Sequence, residues 1–135
     1  MATLTCDIVT PAKKLFTSEC HMVVVPGVEG EMGFLVNHAQ LMSTLADGTV
    51  RVLSDASTVA HRFALQGGYV QVTGDKVIIL ADRALPVEDI DLDDVRAKIS
   101  AAEEEISKAD DAADKNLAEV NLAWYRILEH AASTN

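Results

Sequence analysis

Glycine and proline stop at residue 86. All seven glycines and all three prolines lie between Pro11 and Pro86, and residues 87–135 contain neither. These residues punctuate a chain. The sequence therefore divides into a part broken by frequent turns and a part free to run as long helices. Within the first part, Leu4, Cys6 and Ile8 alternate with Thr3, Thr5 and Asp7, and "TVRVLS" and "RFALQ" alternate as well. "HMVVVP" and "KVIILA" are short continuous apolar runs, the pattern of strands covered on both sides. Turn signals fall at Thr10-Pro11, Asp47-Gly48, Ser54-Asp55, Gly67-Gly68 and Gly74-Asp75. Asp-Gly between apolar strands predicts a tight hairpin there. Short strands at this spacing predict an all-β sandwich or barrel over residues 1–85, with roughly eight to ten strands.

Beyond Pro86 the period changes. Leu92, Val95, Ile99, Ala102 and Ile106 recur every three or four residues; so do Leu117, Val120, Trp124, Ile127 or Leu128, and Ala131. This predicts two amphipathic helices over residues 86–135, forming an antiparallel hairpin with facing apolar stripes. Asp91 is the expected N-cap of the first, with Asp93 and Asp94 at its positive end. The break between the helices rests on Ser107, Asp110, Asp111 and Asp114. Asp disfavours a helix by only about 0.7 kcal/mol relative to Ala, so the turn is weakly encoded. The fold class expected is α+β in two parts.

The hydrophobic fraction of 49% supports a core, and an aromatic fraction of 4% makes that core aliphatic. No apolar run approaches the ~20 residues that span a bilayer. The first residues lack the basic-then-apolar pattern of a signal peptide and the arginines of a transit peptide, which points to the cytosolic side. Cys6 falls in phase with Leu4 and Ile8 and reads as a small core residue. The two cysteines have no metal-binding spacing, and no disulfide is expected.

The formal net charge of −10 argues against nucleic acid and against insertion at an anionic lipid surface. It is uneven: residues 1–85 carry six Lys/Arg and eight Asp/Glu, residues 86–135 five and thirteen.

Reactive constellations are scarce. Gly27, Gly30 and Gly33 run G-x-x-G-x-x-G, which is neither a dinucleotide fingerprint nor a P-loop; a tight turn between strands explains them. Ser43 and Thr44 lack a base, and Glu29 and Glu31 read as solvated loop carboxylates. A small β-barrel metalloenzyme using His21, His38 and His61 is one alternative reading. A free nucleotide sensor centred on Asp93 and Arg96 is another. Three residues apart on a helix, Asp93 and Arg96 otherwise make an ordinary surface ion pair. Trp124 falls in the apolar stripe of the second helix, with Tyr125 pointing elsewhere.

One family accounts for these features together. "VEGEMGFLVNHAQLMSTLADGTVRV", then "LQGGYVQVTGDKVIILADRA", then an acidic helical tail, resembles the epsilon subunit of F-type ATP synthases and its mitochondrial delta-like relative. The matching positions are Gly30-Glu31-x-Gly33, His38-Ala39, Leu41, Gly48-x-x-Arg51, Gly67-Gly68, Val77 and Leu80-Ala81. The resemblance implies a β-sandwich over residues 1–85 followed by a helical hairpin over 86–135, and a non-catalytic subunit of the central stalk of a proton-translocating synthase, peripheral on the cytoplasmic face of a bacterial inner membrane. It implies a gamma subunit and a c-ring as partners, with Glu31 at the ring contact and His38, Leu41 and Met42 on the gamma-facing edge. It implies that the tail, with Lys115, Trp124 and Arg126, is a regulatory element able to extend toward the alpha and beta subunits. No cofactor is required, but "LDDVRA" resembles an ATP-binding motif of some relatives, which places a weak regulatory ATP at Leu92, Asp93, Arg96 and Ala97. Val87 stands where those relatives carry an acid, and Glu103-Glu104-Glu105 where they carry arginines. The second helix offers only Lys115, Arg126 and His130 as cations.

Overall fold

The computed structural model describes residues 3–133, the side chain of His38 excepted. Eight strands come first: β1 (Leu4–Val9), β2 (Lys14–Cys20), β3 (Met22–Gly27), β4 (Gly30–Leu35), β5 (His38–Thr44), β6 (Gly48–Leu53), β7 (Val59–Gly74) and β8 (Lys76–Pro86). A short 3-10 turn, Val87–Asp89, leads to α1 (Leu92–Lys108) and α2 (Ala112–Ser133). Chain contacts separate two units at Pro86. The sandwich followed by a two-helix hairpin is the architecture expected from the sequence.

The long strands β7 and β8 belong to both layers of the sandwich. One layer runs β2-β1-β8-β7-β5 and the other β8-β7-β6-β3-β4. β1 and β8, the first and last strands, lie side by side in parallel, from Thr5↔Lys76 to Val9↔Leu80. The pairing of such distant segments closes the unit.

Two turn expectations fail for one reason. Gly67-Gly68 is no turn between strands; it bends the middle of β7. Asp47-Gly48 is no hairpin either, because β5 and β6 do not pair with each other. Both pair with β7, one after the other along the same side. The residues between them cross the bend: Leu45 N donates to Gly68 O at 2.9 Å, and Gly67 N donates to Asp47 Oδ1 at 2.9 Å. Gly67 (φ 65) and Gly68 (φ 123) have left-handed conformations. A Cβ on Gly68 would lie 2.0 Å from the carbonyl oxygen of Leu80. The bend thus needs a residue with neither the dihedral penalty nor the bulk of a side chain.

The core between the layers is aliphatic, with Phe34 and Phe63 as its rings. Cys6 and Cys20 are buried free thiols, and burial pushes that of Cys6 up to about 12. Asp7 lies between Cys6 and Ile8 on the outer side of β1, yet is only 5% exposed. It accepts a hydrogen bond from Thr17 on β2 and lies 3.6 Å from Lys14 and 3.4 Å from Lys76 of β8. Burial alone would raise its pKa. The Thr17 bond and the two ammonium groups outweigh burial and hold the carboxyl below its ordinary value.

In the helical unit Asp91 caps α1, accepting from Asp94 N at 3.2 Å. Asp111 accepts from Asp114 N at 2.7 Å, so the break at residues 109–111 has a cap of its own. The α1 stripe is as expected, with Val95 and Ala102 buried. The α2 stripe is as expected only in its second half, where Leu128 and Ala131 are buried and Trp124 is half-buried. Leu117 and Val120 are 59% and 41% exposed, while Ala118 and Leu122 are buried. Ala118 lies about 100° around the helix from Leu117. In its first half the helix turns Ala118 and Leu122 inward and leaves Leu117 and Val120 of the apolar stripe in solvent.

The Asp7 cluster predicts an acid-sensitive contribution to stability. Its folded pKa is lowered, so the contribution is present above the unfolded value of about 3.9 and is lost as pH falls through the folded value. Asp7→Asn should cost roughly 1–3 kcal/mol at neutral pH. It should also flatten the loss of stability below about pH 4, as read by urea unfolding across pH.

Candidate partner-docking surfaces

Two places on the sandwich display side chains that the core does not use. The first is the tip of the β3–β4 hairpin. Gly27 pairs with Gly30, leaving Val28 and Glu29 as a two-residue turn, with Gly30 at φ 128. The glycine triplet is therefore a hairpin device, and Val28 is presented to solvent at its end. Beside it, Arg51 of β6 places Nη2 at 3.1 Å from both carboxylate oxygens of Glu31. Arg51 lies opposite Val24, which is itself opposite Gly33 on the strand carrying Glu31. The pair thus ties β6 to β4 across β3.

The second place is the outer face of the layer that contains β5. Among the described residues that strand pairs only with β7, and its register shifts between His38 and Leu41. The His38 side chain lies outside the described residues. Leu41 packs inward against the core, and Met42 points outward. Residues opposite one another across strands share a face. Met42 lies opposite Gln71, then Ile78; Thr44 lies opposite Tyr69, then Leu80, then Val9. Met42 is 68% exposed, Tyr69 55% and Leu80 45%. An exposed apolar cluster of this kind marks an interaction surface.

The sequence assigns no contact role to Tyr69, and marks Leu80 only as a position that matches the family. "KVIILA" predicted a strand covered on both sides, but only Val77, Ile79 and Ala81 face the core. Leu80, on the other side of the run, is 45% exposed. The signal was present: in a sandwich strand with one core face, an unbroken apolar run means that the second face awaits a partner.

The tail places its candidate residues less simply. Leu92 is half-buried, and Asp93 and Ala97 are exposed. Arg96 does not pair with Asp93 along the helix; its Nε lies 3.3 Å from Glu129 Oε2 on α2. Glu129 offers that guanidinium an acceptor across the helix pair. Arg126 reaches back from α2 to Glu103 at 3.8 Å. Lys98 bonds Asp94 at 3.0 Å and lies 5.9 Å from the ring centre of Tyr125. Its pKa is raised, first by the Asp94 bond. Lys115 is exposed and Trp124 half-buried.

The metalloenzyme reading finds no support. No group of three or more His, Cys, Asp or Glu able to hold a metal ion occurs among the described residues. His61 packs on Phe16, ring centres 4.8 Å apart, and His21 lines a hollow at one end of the sandwich beside Leu35 and Ser54.

Residues 3–87 match the family model of the ATP synthase delta/epsilon chain β-sandwich domain. The ATP synthase epsilon chain of Maricaulis maris is 35% identical over 127 residues, 94% of each chain. That of Hyphomonas neptunium is 39% identical over 104 residues, 77% of this chain and 76% of the relative. Among solved structures, a chain in the Euglena gracilis mitochondrial ATP synthase superposes with a TM-score of 0.77 at 22% identity, covering 97% of this chain and 82% of that one. The family model and the relatives agree with the fold: the chain belongs to the ATP synthase delta/epsilon family.

Proposed function

We propose that the chain is a non-catalytic rotor subunit in the central stalk of a proton-translocating ATP synthase. The observation that carries this is the exposed row of Met42, Tyr69 and Leu80 on a rigid sandwich of the family's type. Such a row supplies grip, and its fixed backbone ladder transmits torque without deforming. In our reading the gamma subunit covers this face, with His38 and Leu41 at its margin, and the hairpin tip carrying Val28 and Glu31 rests on the c-ring. The exposed Arg51 pair biases Glu31 toward one posture for that contact. No described helix is long and apolar enough to cross a membrane. We place the subunit peripherally on the cytoplasmic face of the inner membrane, held there through its partners.

The tail supports a limited regulatory part toward the alpha and beta subunits. Arg126 is already paired with Glu103, which leaves Lys115 as the basic side chain of α2 most open to acidic partners. ATP as a weak regulatory ligand at Leu92, Asp93, Arg96 and Ala97 has to take Arg96 from Glu129 and approach a strongly acidic unit.

Three outcomes test these readings. Met42→Ser with Leu80→Ser should weaken association with purified gamma by roughly 2–4 kcal/mol while leaving thermal unfolding of the free subunit nearly unchanged; Val28→Ser should leave that titration alone. Unaltered gamma affinity in the double variant would sink the assignment of the face. Deleting residues 87–135 should preserve assembly and proton-driven synthesis and raise ATP hydrolysis only slightly; a large rise would make the tail a strong inhibitor. Calorimetric titration with ATP should give tighter binding to Glu129→Gln than to the natural sequence, and equal affinities would remove Arg96 from any nucleotide site.

A further inference from the structure

A groove runs along one side of the helical hairpin. At its turn end it encloses about 470 Å³, lined by Ala101, Glu104, Glu105, Asp114, Leu117 and Asn121. A second hollow of about 240 Å³ shares Ala101, Glu105 and Asn121 and continues to Lys98 and Tyr125. Together they follow α2 from Asp114 to Tyr125, about 16 Å or three helical turns. The floor is made of alanines, low enough for another backbone to come close. Leu117 projects at one margin, 59% exposed.

We infer that this groove receives a basic amphipathic helix of a partner protein, which completes a three-helix bundle. The shape sets the class of occupant: a long, shallow channel between two helices fits a third helix with apolar residues at three- and four-residue spacing. The charge sets its sign. Residues 86–135 carry five basic and thirteen acidic side chains. The lysines at the rim are taken, Lys108 by Glu104 at 3.7 Å and Lys98 by Asp94 at 3.0 Å. Glu105 and Asp114 flank the floor, in no salt bridge among the described residues. A second copy of this chain would bring two strongly negative units together, and nucleic acid or an anionic lipid surface is repelled for the same reason. A neutral apolar helix would leave the acidic rim without partners. The inference does not depend on the rotor reading, since it uses only the hairpin.

The test uses the full chain and three synthetic peptides. One is helical, with leucines at three- and four-residue spacing and lysines elsewhere. The second replaces its lysines by glutamate. The third has the first's composition in scrambled order. The first should bind by calorimetry, with amide shift changes centred on Ala101, Leu117 and Asn121, and the other two should not. Leu117→Gln and Glu105→Lys should each weaken it at least about tenfold. Both residues are exposed, and unchanged circular dichroism confirms that the hairpin stays folded. Equal binding of the scrambled peptide, indifference to both substitutions, or shift changes elsewhere on the chain would each overturn the inference.

Discussion

The sandwich exists because β7 bends where a side chain cannot fit. With Gly67 and Gly68 in left-handed conformations and the Leu80 carbonyl against the latter, one strand of sixteen residues serves two layers. The segment between β5 and β6 crosses at the same place, held by the Asp47 carboxylate and the Gly68 carbonyl. This corner decides which alternate residues of β5, β7 and β8 point inward. It therefore also decides which ones are left outside as a surface for other proteins. Packing and docking are two sides of one alternation.

The sequence discloses most of this architecture because its signals are local. The loss of glycine and proline after Pro86 marks the change from strands to helices, and the phase of Leu4, Cys6 and Ile8 marks a core face. It misleads where a local signal has a non-local use. Asp47-Gly48 has the composition of a hairpin, but its carboxylate is spent on Gly67, across the corner. Gly67-Gly68 has the composition of a turn but is a bend. On the surface, Met42 and Glu31 were legible through family resemblance, whereas Tyr69 and Leu80 become meaningful only when the register sets them beside Met42. On α2 the apolar period is real, and Leu128 and Ala131 are internal as it predicts, but Leu117 and Val120 are not. Helical periodicity gives the relative phase of residues on a helix, not which of two apolar sides meets the neighbour.

The hairpin also shows how a chain can hold itself closed. Arg96–Glu129 and Arg126–Glu103 join α1 to α2 from opposite directions. Each is a solvent-exposed pair, worth no more than about 1 kcal/mol. They are therefore a bias toward the closed form rather than a lock. Their greater effect is on availability: the guanidinium groups best placed to meet an anion are already facing carboxylates of their own chain.

The irregularity in β5 has a consequence for the time before assembly. An edge strand invites another strand to add to it, and an apolar side chain such as Met42 makes the invitation stronger. The register shift between His38 and Leu41 interrupts the regular spacing of donors and acceptors that such addition requires. A newly made subunit can thus keep its sticky face uncovered without polymerising through its edge, and the same irregularity leaves that face open for side-chain docking.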